Sequence, residues 1–135
     1  VNGRKRHIVT DTLDNLLVVV THPASTADSS GAKQVLEVLH SYWQRTLHIL
    51  WADGGYEGAL AAWTSNTIAI ELTIVKRAEA GQGFKLLPRR WVVECTFAWL
   101  GCYRRLSKDD ERCCKSSEGM VYLASIRRLL NCLAA

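Results

Sequence analysis

Two acidic residues stand where a carboxylate could do chemistry. Asp53 closes the hydrophobic run LHILWAD (residues 47–53) and is followed at once by Gly54 and Gly55. A strand that ends on an acid beside a turn places that acid at the C-terminal edge of a sheet, where α/β folds usually keep their ligand chemistry. Glu94 falls in the first turns of an otherwise apolar helical stretch, between Val93 and Phe97. Burying an unpartnered carboxylate there would be costly, so a cation is expected beside it, either Arg90 one helical turn earlier or a divalent metal ion. Hard cations take oxygen ligands, and two of them roughly 4 Å apart can clamp the attacking and leaving oxygens of a phosphodiester. A strand-end Asp and a helix Glu from separate parts of the fold suit that task. A plainer role stays open for each: Asp53 capping its turn, and Glu94 pairing with Arg90.

The elements that would position these acids follow from residue patterning. RHIVTD (residues 6–11), the turn LDN (13–15) and LLVVVTH (16–22) read as a β-hairpin of β-branched strands around an Asp-Asn turn. From Asp28 or Ser29, with Ser or Asp as N-cap, the apolar positions Ala32, Val35, Leu36, Leu39 and Trp43 recur at helical spacing. A buried strand over 47–53, a short helix over 57–63 and a strand over 69–76 come next, then a loop containing AEAGQG. PRRWVVECTFAWLGCYRRL reads as a helix starting near Pro88. A polar connector over 107–116 leads into a last amphipathic helix over 117–133. The order predicts an α/β layer fold, with helices covering a mixed sheet, as a single domain over 1–135.

Composition sets limits on function. The 135 residues are 48% hydrophobic, enough for a core, with a formal charge of +4 and a pI near 8.9 that permit an acidic partner without requiring one. Five cysteines include no CxxC pair, and no His stands at ligand spacing, which favours reduced thiols in a cytosolic protein over a zinc site or disulfide framework. The longest apolar run, LLVVV, has strand length, so no membrane span or signal peptide is expected. The chain opens on Val1 rather than Met, as a fragment would. Basic residues gather as Arg4, Lys5, Arg6 and His7, as Arg89, Arg90, Arg104, Arg105 and Lys108, and as Arg127 and Arg128. Phosphate contact needs only such charges, though a solvated face is the expectation for Arg127 and Arg128. Trp91 and Trp99 read as core residues.

Four stretches then carry a resemblance in order along nearly the whole chain: GRKRHIVTDT (3–12), WADGGYEG (51–58), LPRRWVVECTFAWLGCYRRLSKDDE (87–111) and SSEGMVYLASIRRLL (116–130). Together they resemble the DDE transposases of the insertion-sequence four and five group. The resemblance implies a ribonuclease H-like fold and an Asp-Asp-Glu triad that holds two magnesium or manganese ions for DNA cleavage and strand transfer. Asp53 matches the second Asp, Glu94 the Glu, Arg90 the Arg four residues before it, and Tyr56 the aromatic after the two glycines, with a packing or DNA-backbone role. DNA is the implied partner, both transposon ends and target, with Arg4, Lys5, Arg6, Arg90, Arg104 and Arg105 as its candidate contacts. A homo-oligomer or an upstream transposase segment are the other implied partners, in a cytoplasmic, nucleoid-associated setting. The implied chemistry is in-line attack on phosphorus with no covalent protein intermediate.

The chain departs from that family at several positions. Cys95 and Cys102 replace arginines, Asp14 stands at a hairpin position usually held by Gly, and Asp110 stands where Tyr usually follows. Leu87 and Gly101 replace the Tyr and Lys of the wider signature. Lost charge of this kind fits a decayed copy, or drift within an active subgroup. The first catalytic Asp of the family lies on a strand upstream of GRKRH and is expected before Val1, so the fold should lack its first strand. Asp11 lies on what should be the second strand, a position the family does not use for metal. The alternative is a catalytically inactive DNA-binding or inhibitory fragment.

Overall fold

The computed structural model describes residues 3–75 and 89–135. Strands β1 (Arg4–Thr10) and β2 (Leu16–Pro23) form the expected hairpin, antiparallel from Arg4 opposite Pro23 to Val9 opposite Val18, with a register shift between Val9 and Thr10. Its turn is built by Asp11, whose carboxylate accepts from the Leu13 and Asn15 amides at 2.8 and 2.9 Å and from Asn15 Nδ2 at 2.8 Å. Such bonds let an Asp side chain stand in for a backbone turn, and they give Asp11 structural work.

Helix α1 (Asp28–Trp43) buries Gly31, Ala32, Val35, Leu36 and Leu39. Its N-cap is Ala27, extended and without a side-chain bond, and not the expected Ser or Asp. Asp28 instead sits in the first turn, where its charge suits the helix dipole, and pairs with Lys5 at 2.9 Å. Strand β3 (Ile49–Asp53) pairs in parallel with β4 (Glu71–Val75), and α2 (Ala59–Ile68) joins them after a 3-10 turn at Gly54–Tyr56. Helices α3 (Arg90–Gly101), α4 (Arg104–Ser107) and α5 (Cys114–Ala134) follow. The expected helix from Pro88 is therefore broken at Cys102 and Tyr103, and the last helix starts earlier than its apolar pattern. The AEAGQG loop and Pro88 lie outside the described residues.

The two faces of the hairpin are buried against different partners. On one face Val9 and Val18 join Ala32, Val35, Leu36 and Leu39 of α1 and Leu60, Ile68, Ile70 and Leu72 beyond it in one core. On the other, Leu16 and Val19 meet Leu100, Leu106, Val121 and Ala124 of the last three helices. Strand β3 was expected to be buried, but its pattern runs from exposed to half-buried, with Ile49 44% exposed. Among the described residues its only strand partner is β4, so one whole edge lacks a neighbour.

The protein is thus mixed α/β, and among the described residues its strands form two separate pairs, β1-β2 and β3-β4, that share the α1 core. The two outer edges of the hairpin differ. Along β2, the Val19 amide donates to the Tyr122 hydroxyl at 3.3 Å and the Thr21 amide to Glu118 Oε1 at 2.8 Å, so α5 occupies that edge with side-chain acceptors. Covering an edge in this way stops further strand addition. Strand β1 pairs with β2 alone among the described residues.

Candidate functional site

Asp53 ends β3 and caps the 3-10 turn, its Oδ1 accepting from the Gly54 amide at 2.6 Å. It is exposed, as are Gly54 and Gly55. A Cβ added at either glycine would meet nothing within 4 Å, so nothing in the described chain requires glycine there, and a demand for small residues would have to come from something bound. Tyr56 closes the turn half-buried, its ring edge-on to His7 with centroids 5.9 Å apart. Burial, with the charges of Asp28 and Asp53, raises its hydroxyl above the ordinary tyrosine range.

Glu94 lies on the outer side of α3. The inner stripe is Val92, Thr96 and Leu100, one residue per turn, which leaves Glu94 and Cys95 exposed. The expectation of a costly buried carboxylate fails for that reason: its neighbours Trp91 and Phe97 are themselves 45% and 44% exposed. Trp91 is therefore not core, whereas Trp99 is half-buried against the second cluster. The Arg90 side chain, and with it the expected Arg90–Glu94 pair, lies outside the described residues. No three His, Cys, Asp or Glu side chains among the described residues converge as a metal cluster. The donor type of Asp53 and Glu94 fits a hard cation, and two carboxylates fall short of the three that the sequence resemblance implies.

The basic residues divide into two groups. Arg4 and Arg6 were expected to face phosphate, but both reach Asp109, at 2.8 and 3.4 Å, and Arg6 also donates to the Leu106 carbonyl at 3.2 Å. Lys5 pairs with Asp28 and donates to the Thr26 carbonyl. Alternation along β1 sends Arg4 and Arg6 to the α5 side and Lys5 and His7 to the α1 side, so the run cannot form one basic face. Arg104 and Arg105 are exposed on α4, Arg105 pairing with Glu111 at 3.2 Å. Arg89 stacks over the Trp51 ring, 3.8 Å from its centroid.

Sequence reasoning missed three polar centres. Asp109 accepts from Arg4, the Ser117 hydroxyl at 2.7 Å and the Glu111 amide at 3.2 Å, and forms an ion pair with Arg6 at 3.4 Å. Burial pushes its carboxyl up, but these donors outweigh that and hold it below the ordinary aspartate range. Asp14 adopts φ 65° and gathers the Thr96 hydroxyl, Trp99 Nε1 at 3.4 Å and Arg128 at 3.1 Å. Arg128 is consequently not a solvated side chain. The third centre is a pair of buried imidazoles, His7 and His22, with centroids 4.6 Å apart. The hairpin register, Lys5 opposite His22 and His7 opposite Val20, was the signal that could have found it. All five cysteines are free thiols, and no helix among the described residues is long and apolar enough to cross a membrane.

A family model described as a transposase DDE domain matches residues 1–123. A Burkholderia cepacia protein named as the transposase for insertion sequence element IS402 is 32% identical over 117 residues, covering 82% of this chain and 54% of that protein. The chain thus spans about half the length of that curated relative. No solved structure matches it.

Proposed function

The chain belongs to the DDE transposase family, and from that membership we propose that it is part of a ribonuclease H-like catalytic domain that cuts and joins DNA. The observation that carries this reading is that its two motif acids, Asp53 at the end of β3 and Glu94 on the outer side of α3, are both exposed and both fall within the matched residues. Asp53 and Glu94 would supply two of three carboxylate ligands. The arrangement of the strands supports a third ligand arriving from outside. With the β2 edge occupied by Tyr122 and Glu118, the β1 edge is where a further strand can join the hairpin. A strand upstream of the hairpin, carrying the first Asp and seated there, would turn two pairs into one mixed sheet with that Asp beside the end of β3.

Bound magnesium or manganese would supply the positive charge that activates water or a 3′ hydroxyl and stabilises the departing oxygen. The chain's own contribution is placement. Asp53 presents its carboxylate from a strand end, held through Oδ1 by the Gly54 amide. The open space around Gly54 and Gly55 leaves room for a phosphodiester. Arg104 and Arg105 are the phosphate contacts this geometry favours, while Arg4, Lys5 and Arg6 serve the fold. Alone, the Asp53 and Glu94 pair would bind metal weakly and be insufficient for transposition.

The test is nicking of transposon ends in magnesium by the 135-residue chain and by the same chain extended with the region encoded upstream of Val1. Nicking is expected only from the extended protein. Equal nicking by the unextended chain would overturn the proposal that the third carboxylate comes from outside.

A further inference from the structure

His7 and His22 share one small buried chamber between the hairpin and α1. Both rings are buried, tilted 38° to each other at 4.6 Å. Three of their four ring nitrogens, His7 Nδ1 and His22 Nδ1 and Nε2, have no hydrogen-bond partner among the described residues. Gly31 forms the floor. A Cβ there would lie 2.7 Å from His7 Cε1 and closer still to His22, so both imidazoles rest directly on the α1 backbone and cannot sink further. Tyr56 stands edge-on against His7, at 5.9 Å and 70°. That contact runs from the hairpin to the turn carrying Asp53, between two strand pairs that share no ladder among the described residues.

We propose that His7, packed against His22, is a positioning device for the Asp53 turn, acting through Tyr56 while the His7 ring is neutral and releasing the turn when that ring is protonated. Protonating a ring makes both its nitrogens donors, and His7 Nδ1 has no acceptor among the described residues. The new charge must then be carried in a buried site or the ring must move toward water, and Tyr56 rests on that ring. The charged and titratable groups around His7 are His22 on β2, Lys5 on its own strand, Asp28 on α1 and Tyr56 on the turn. Burial comes first in holding His7 below the ordinary histidine value, His22 and Lys5 act in the same direction, and Asp28 opposes them. Asp28 is already paired with Lys5 at 2.9 Å and exposed, which limits what it can offer a second cation. The consequence for catalysis rests on the transposase reading, whereas the mechanical link from imidazole to turn stands without it.

The test is a pH titration of the 135-residue chain by NMR, following the His7 Cε1 proton and the amides of Gly54, Gly55 and Tyr56. The amides are expected to shift with the midpoint of the His7 proton, below 6.5. Tyr56→Phe, which keeps the ring, should preserve that shared midpoint. Tyr56→Leu should leave the imidazole titrating while the glycine amides lose the step. Glycine amides in the wild-type protein that move only in the carboxylate range would overturn the proposal. So would an imidazole-linked step that survives in Tyr56→Leu. None of these readouts requires DNA cleavage, so a failed nicking assay and a failed titration sink different claims.

Discussion

Asp14 shows how a departure from a family pattern can be structural gain. It stands at a turn position where the family resemblance implies Gly, and φ 65° is a region that favours Gly. Asp tolerates this region, and here its carboxylate ties the hairpin tip to Thr96 and Trp99 of α3 and Arg128 of α5. Asp14→Gly would ease the backbone yet lose a charged, partly buried hydrogen-bond set, for a net loss of about 1–2 kcal/mol. Urea unfolding checks this, and a stabilised variant would show that the network contributes nothing. Asp109 is the parallel case near the start of β1. Asp109→Asn should lower stability by about 2–3 kcal/mol, since it leaves Arg4 and Arg6 facing a neutral amide. Because the folded carboxyl titrates below its unfolded value, its contribution is complete above the unfolded pKa and disappears as pH falls through the folded one. The gap between wild type and Asp109→Asn should therefore close in acid. Little of this was legible beforehand, because Asp14 finds its partners through contacts 82 to 114 residues apart, and Asp109 meets Arg4 across 105 residues.

At the level of elements, local patterning located nearly every strand and helix, and tertiary contacts set their ends. The apolar spacing of Ala32, Val35, Leu36 and Leu39 became the buried stripe of α1. The expected single helix after Pro88 broke at Tyr103, whose hydroxyl reaches the Ala124 carbonyl of α5 and whose backbone begins a new turn. Helix α5 does more than cover a face, since Glu118 and Tyr122 close the β2 edge. Glu118→Ala would leave the buried Thr21 amide without its acceptor, at a cost of about 1–3 kcal/mol, and should speed hydrogen exchange at Thr21 relative to Val18. Unchanged exchange there would mean that the edge is closed by something else. Gly31→Ala should be costlier than a helix-favouring change normally is, about 1–3 kcal/mol against the protein, because the added methyl collides with two imidazoles. The His7 contribution has the same pH sign as Asp109 in a higher window. Its folded value lies below 6.5, so stability is complete above 6.5 and falls as pH drops toward that folded value.

For the molecule as a whole, motif spacing identified the family before any geometry was known, because RRWVVE, TFAWL and RRLSKD together are far more specific than any one acid. Motif spacing could not say that the basic run at Arg4, Lys5 and Arg6 is split by strand alternation between two faces, nor that the strands among the described residues fall into two pairs. Those properties depend on which edge each helix covers. The proposed catalytic role rests on Asp53 and Glu94 acting on the same DNA phosphate once the sheet is complete. The most direct measurement is magnesium-dependent nicking at transposon ends by the complete transposase, comparing wild type with Asp53→Asn and Glu94→Gln, with DNA-end binding followed in the same samples. Each variant should bind ends within about twofold of wild type, less than ~0.5 kcal/mol, while nicking falls by at least about a thousandfold, the loss of roughly 4 kcal/mol of transition-state stabilisation. Nicking that persists near the wild-type rate in either variant would contradict the assignment of that residue to the metal site.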